Sequence, residues 1–271
     1  MILGSVVNRT LFSAAILLAA LLTLPLFILL PVSLTPKSYI SIPSIDELSL
    51  RHFAAVLGVG GWWREFASSL LVAAASSTIA GCIGSIAAIG LWLATSRLAP
   101  LVRLIIIMPM MIPQVFSGLA LFKLSVIINA YDRYWFVIAS HSIISLPFVF
   151  LIVSVALSSL DIRLVQAARS SGANLRQLLQ YVILPLNARA IASGMLLAFI
   201  ISWDEIVVTL FVSRRNVYTV PRRIWDGIRE VLDPSVAAAA VVMTIFTIGI
   251  FVLSNLVSRR HRSASANLMS R

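Results

Sequence analysis

Apolar residues fall along this chain in blocks long enough to cross a bilayer, separated by short polar intervals. A membrane-spanning helix needs about 20 such residues, and six stretches supply them: 11–32, 66–94, 104–124, 135–157, 190–212 and 235–257. The pattern predicts an all-α integral membrane protein of six transmembrane helices forming a single domain over residues 1–271. The first stretch follows Arg9 and exceeds the apolar core of about 7–15 residues found in a secretory signal. No small-residue cleavage site follows it, so it reads as a retained span. The second is rich in Ala73, Ala74, Ala75, Ser76, Ser77, Gly81, Gly84 and Ser85, small residues that let helices approach closely and so place it in the middle of a bundle. The third holds Pro109 and Pro113, which either break the helix beside a water-lined path or merely kink it. His141, alone in the fourth, is expected to bond a neighbouring helix rather than relay protons.

The polar intervals differ in kind. Residues 33–65 mix Pro36 and Pro43 with a weakly amphipathic piece at 48–57, then a glycine break and the aromatic pair Trp62 and Trp63. Residues 160–185, LDIRLVQAARSSGANLRQLLQYVILP, keep helical periodicity, with Leu164, Ala168, Ser171, Leu175, Leu178 and Val182 recurring at helical spacing. Gly172 suits the left-handed residue after a first helix. Asn174 suits the cap of a second, with Gln177 as its capping-box partner. Pro185 is expected to close that helix or kink the chain. The arginines of 213–234 alternate with Asp226, Glu230 and Asp233 and predict a folded, ion-paired segment. The tail from Arg259 reads as disordered.

Composition narrows the function. With 60% hydrophobic and 11% charged residues, 271 residues cannot form a soluble domain. The net charge of +11 would suggest nucleic acid in a soluble protein. Here the basic residues flank apolar runs without a basic, aromatic-studded patch, so lipid head groups explain them and a nucleic-acid partner is excluded. The 21 basic residues divide eleven to ten between the two sides of a six-span layout, so charge sets no orientation. Cys82 lies in an apolar run and offers neither a disulfide nor a cysteine metal site. Lys37 and Lys123 stand outside any glycine-rich phosphate loop, and no zinc-ligand pair or nucleophile elbow is present. No catalytic residue and no metal site is therefore expected. The strongest chemical signal is Trp203-Asp204-Glu205, which counting from Ala190 sets roughly 20 Å into the fifth span. An acid there costs about 2.5–3.5 kcal/mol, so a pair is not idle. Adjacent helical residues point about 100° apart, so one acid can face a cavity or gate while the other faces a neighbouring helix.

The run Gln166-Ala167-Ala168, three residues, Gly172, nine residues, Val182-Ile183-Leu184-Pro185 resembles the signature loop (E-A-A, three residues, G, nine residues, I-x-L-P) of permease subunits of binding-protein-dependent ABC importers. Gln166 stands where that family usually has Glu, removing a charge able to pair with an arginine of the ATPase, and Val182 stands for Ile. Residues 66–260 are most similar to the spermidine/putrescine branch. The resemblance implies a cytoplasmic coupling-helix loop between spans four and five, seated on an ATPase subunit. It also implies cytoplasmic termini in a bacterial inner membrane, a related second permease as heterodimer partner, and a periplasmic solute-binding protein. ATP and Mg belong to the partner ATPase, and this chain binds no cofactor. The implied cargo is a polyamine or related amine; an amino acid derivative, thiamine, a phosphonate or an iron chelate is the alternative. From other classes, a proton-coupled carrier using Asp204, Glu205 and His141, or a structural subunit without a path, would also fit the composition.

Overall fold

All regular structure among residues 2–94, 96–230 and 233–269, which the computed structural model describes, is helical. The first half carries α1 (Ile2–Ser33), α2 (Arg51–Leu57), α3 (Trp63–Leu93), α4 (Ala99–Met111), α5 (Gln114–Ile127) and α6 (Tyr134–Ser158). The second carries α7 (Ile162–Ser170), α8 (Leu175–Leu178), α9 (Leu184–Trp203), α10 (Val207–Val212), α11 (Val220–Glu230) and α12 (Ser235–Met269). Five stretches, Thr10–Ser33, Trp63–Leu93, Tyr134–Ser158, Leu175–Trp203 and Ser235–Ser254, are long and apolar enough to cross a membrane. A sixth counts only if α4 and α5, bent by 102°, form one broken span.

Two expected spans are therefore not single helices. Residues 104–124 divide at Ile112-Pro113, because a proline lacks the N–H for a helix and drives the residue before it into extended backbone; Ile112 has ψ 129°. Pro109, by contrast, lies inside α4, and Pro147 inside α6, without breaking either. Residues 190–212 divide after Trp203, and α9 begins earlier than expected, at Leu184. The tail, expected to be disordered, continues α12 to Met269, in keeping with the absence of Gly or Pro over 259–269. Ser270 and Arg271 lie outside the described residues.

The chain forms two units, one from residues 1–63 and 223–271, the other from residues 64–222. In the first, α1 and α2 pack against α12. Buried His52 ties the interval before α2, with Nε2 3.0 Å from the Lys37 carbonyl and Nδ1 3.7 Å from the Asp233 carboxylate. The Arg223 guanidinium stacks 4.3 Å from the Trp62 ring centroid, worth about 0.5–2 kcal/mol.

In the second unit α6 packs extensively on α9, with the small-residue face of α3 beside it. A Cβ at Gly84 of α3 would lie 3.0 Å from the Val149 Cβ of α6, and one at Gly194 of α9 3.2 Å from its Cγ1. Three helices thus meet around one valine, and the two glycines leave room that a Cβ would crowd, the close approach that small residues allow. Val149, Phe150, Val153, Leu157 and Ile183 continue this core, and all are fully or almost fully buried.

Candidate functional site at paired helix breaks

The acidic pair lies between α9 and α10, not within one helix. Asp204 is the cap residue that follows α9 (φ −98°, ψ 0°), and helix resumes at Val207. Glu205 makes the break self-consistent. Its Oε1 accepts the Val208 N–H at 2.9 Å, satisfying a donor at the start of α10 that has no partner within the helix. The other carboxylate oxygen, Oε2, accepts the Gln114 side-chain amide at 3.0 Å. Gln114 is the first residue of α5, directly after Pro113. The proline break and the acidic break are therefore joined by one hydrogen bond, and α10 packs along α5 with the Phe211 ring against Gly118. The acids diverge as the two-direction expectation requires, although through a turn: Glu205 is 5% exposed, while Asp204 lies on the surface. Trp203 is buried at 4% exposure and stacks on Phe199 with centroids 5.9 Å apart.

Behind the break, four helices are tied by a chain of side chains. The Ser76 hydroxyl of α3 donates to Ser202 Oγ of α9 at 2.8 Å, leaving the Ser202 hydrogen for His141 Nδ1 of α6, also at 2.8 Å. Nε2 then carries the imidazole hydrogen and donates to Thr209 Oγ1 of α10 at 2.9 Å. Thr209 in turn donates to the Glu205 carbonyl at 3.1 Å. Every donor runs in one direction with a neutral imidazole, so His141 ties neighbouring helices, as expected for a single histidine in a span.

The far end of α10 is fixed by residues the sequence pattern did not single out. Arg222 donates to the Thr209 carbonyl at 3.1 Å, to the Ser213 carbonyl, and to Ser213 Oγ at 3.1 Å, satisfying carbonyls left open at a helix C-terminus. Asp132, at φ 59° in the turn after α5, accepts the amides of Arg214 (2.9 Å), Arg215 (3.1 Å), Asn216 (2.9 Å) and Val217 (3.1 Å). Partial burial alone would raise its pKa, but these backbone hydrogen bonds outweigh it and hold the carboxyl below its ordinary 3.8. Residues 214–217 are thus held by their backbone amides, and the anchor is an acid outside the interval 213–234 rather than Asp226, Glu230 or Asp233.

The signature loop stands on the other hydrophobic cluster of this unit. Asp161 caps α7 through a 2.9 Å bond from the Arg163 N–H. At its end Gly172 adopts φ +83°, its N–H donating to the Arg169 carbonyl (2.9 Å) and the Ala173 N–H to the Ala168 carbonyl (3.1 Å), a complete Schellman turn. Asn174 and Gln177 form the expected capping box, each bond 2.9 Å. Pro185 does not end the helix: a π-helical turn, Leu179–Ile183, runs on into α9, where Pro185 occupies the second position. The Leu184 N–H reaches back to the Leu179 carbonyl, so the widened turn admits the ring. Val165, Leu178 and Ile183 anchor this loop in the core, whereas Leu164 and Leu175, which recur at helical spacing, are exposed. Gln166 and Ala167 are exposed and Ala168 is half-buried.

Residues 80–263 match the family described as binding-protein-dependent transport system inner membrane component, and the chain belongs to that family. It is the multi-pass permease of an ABC importer, a membrane component that works with an ATPase and a solute-binding protein and is not itself the catalytic part. Over 191 residues it is 31% identical to the spermidine/putrescine transport system permease protein PotC of Escherichia coli strain K12, spanning 70% of this chain and 72% of that protein. The putrescine transport system permease protein PotI of the same strain is 29% identical over 206 residues, 72% of each chain. A solved bacterial ABC transporter involved in import of the acidic polysaccharide alginate shares the fold, with TM-score 0.69 at 16% identity over 95% of this chain and 96% of that one.

Proposed function

We propose that this permease forms half of a translocation path for a small amine cation of the polyamine class, pairing with a second, related permease subunit. The observation that carries the reading is Asp204: a carboxylate left on the surface at the interruption of an apolar span, while its neighbour Glu205 is consumed in holding that interruption open. An intramembrane acid costs about 2.5–3.5 kcal/mol, a penalty a cationic cargo offsets. The likeness to spermidine and putrescine permeases supports the same class. Glu205 and Trp203, both buried, form the inner side of the gate.

Energy reaches the path through the signature loop. Gln166, Ala167 and the exposed Leu164 and Leu175 form the face offered to the ATPase, with Ala168 at its inner edge and Gly172 and Pro185 fixing how the loop leaves the bundle. ATP and Mg bind the ATPase. The loop and both termini lie in the cytoplasm, and the segment 213–234 faces the periplasmic solute-binding protein. A proton-coupled carrier is less well supported, because His141 is fully engaged with Ser202 and Thr209.

The test is uptake of labelled spermidine and putrescine by the complete transporter. Asp204→Asn is expected to lower it about tenfold or more, the factor that a change of about 1.4 kcal/mol in cation stabilisation produces. Expression should be unchanged, with Asp204→Glu retaining part of the activity. Undiminished uptake in Asp204→Asn would reject the role given to this acid.

A further inference from the structure

At the end of the second unit that carries the signature loop, a groove of about 310 Å³ opens between the last turns of α3 and α6 and the first turn of α4. Its floor is apolar, with Ala88 and Phe150 buried and Leu91 and Leu151 partly buried. Four polar side chains line it, Arg103, Trp92, Ser154 and Ser158, and no acidic residue does. Ser158 is already bonded to the Val155 carbonyl, whereas Arg103, Trp92 and Ser154 make no hydrogen bond or ion pair with any described residue. This is unusual on both counts. A serine in an apolar helix ordinarily bonds the carbonyl one turn back, as Ser158 and Ser159 do with Val155, and an arginine beside apolar surface ordinarily finds a carboxylate or carbonyl. What remains is a guanidinium, an indole N–H and a hydroxyl with no internal acceptor, over an apolar floor at the ends of bilayer-spanning helices.

We propose that this groove binds one anionic phospholipid, its phosphate taken by Arg103 with Ser154 and Trp92 and an acyl chain lying along Leu91 and Leu151. The donor set calls for an anion, and a planar guanidinium matches phosphate oxygens two at a time. The apolar floor calls for hydrocarbon attached to that anion. A tryptophan near the end of α3 suits the headgroup level, where an amphipathic ring lies most favourably, and a basic pocket between span ends is the usual form of a headgroup site. The site lies next to α6, whose last turn leads through Ser159 to Asp161 directly into α7. A lipid there would brace the base of the signature loop.

The experiment uses the complete transporter in phosphatidylcholine vesicles containing a trace of phosphatidylglycerol with a photoreactive acyl chain. After illumination, labelled peptides are mapped. Labelling is expected on the segments around Leu91 and Leu151, and about fivefold weaker with a phosphatidylcholine probe of the same chain. Arg103→Gln should lower it by a similar factor of about five, Ser154→Ala by about twofold, and Arg103→Lys should keep at least half. Excess inorganic phosphate should leave it unchanged. Equal labelling by the two lipids, full labelling in Arg103→Gln, displacement by phosphate alone, or cross-linking of another subunit over the groove would each overturn the proposal.

Discussion

The two helix breaks of the central unit, after Ile112 and after Trp203, reach similar outcomes by different means. The first is made by covalent structure: Pro113 has no N–H to give, and its ring forces Ile112 into extended backbone whatever surrounds it. Neither proline nor glycine stands between Trp203 and Val207. There Glu205 caps α10, and Ser76, Ser202, His141 and Thr209 tie the two half-helices to their neighbours. A proline break is permanent, whereas a break held by side chains can be made and unmade as helices shift. The Gln114 to Glu205 bond joins the fixed break to the adjustable one.

The contrast can be broken most directly at Glu205. Glu205→Ala leaves the Val208 N–H and the Gln114 amide without their acceptor, and should cost about 3 kcal/mol in thermal unfolding of the purified transporter, with uptake largely lost. A variant melting like the wild type would mean that the break does not depend on its side chains. Pro113→Ala should be milder, within about 1 kcal/mol, since it mainly frees the unfolded chain. It should also lengthen the distance between spin labels at Leu101 and Ile127, as α4 gains freedom to continue into α5. An unchanged distance would show that packing, not proline, sets the 102° bend.

The smallest effect concerns Asp132, which anchors the segment beyond α10. Its folded-state carboxyl titrates below the ordinary 3.8, so its contribution is complete above that pH and is lost as pH falls through the lowered value. The acid limb of a melting curve should therefore be less steep in Asp132→Asn than in the wild type. Parallel acid limbs would mean that the four amides do not depend on the charge.

What the sequence pattern revealed and what it hid follow from the range of the interactions. Gly172, Asn174 and Gln177 were legible because a turn and a capping box are settled within four residues. The Gly84 and Gly194 contacts on Val149 agree with a small-residue stripe, itself visible in the spacing. The face of the signature loop was harder. Leu164 and Leu175 have core-like spacing yet are exposed, while Val165 fills the core, because spacing alone does not say which side of a short helix meets the interior. The end of α9 was hidden for a further reason. Glu205 meets Gln114 across 91 residues, and His141 meets Ser202 across 61, so nothing near Trp203 announces a break. Asp204 and Glu205 marked the place, and Gln114, directly after a proline in an apolar run, was the one available hint of the partner.

The central claim is that, of two adjacent acids, Asp204 meets the cargo and Glu205 holds the frame. Single cysteines at positions 204 and 205, in a transporter whose Cys82 is replaced by serine, can be challenged with a water-soluble thiol reagent with and without saturating spermidine. The account predicts rapid modification of Asp204→Cys that spermidine slows, and slow modification of Glu205→Cys indifferent to it. The reverse order, or modification at position 204 unaffected by any amine, would contradict it.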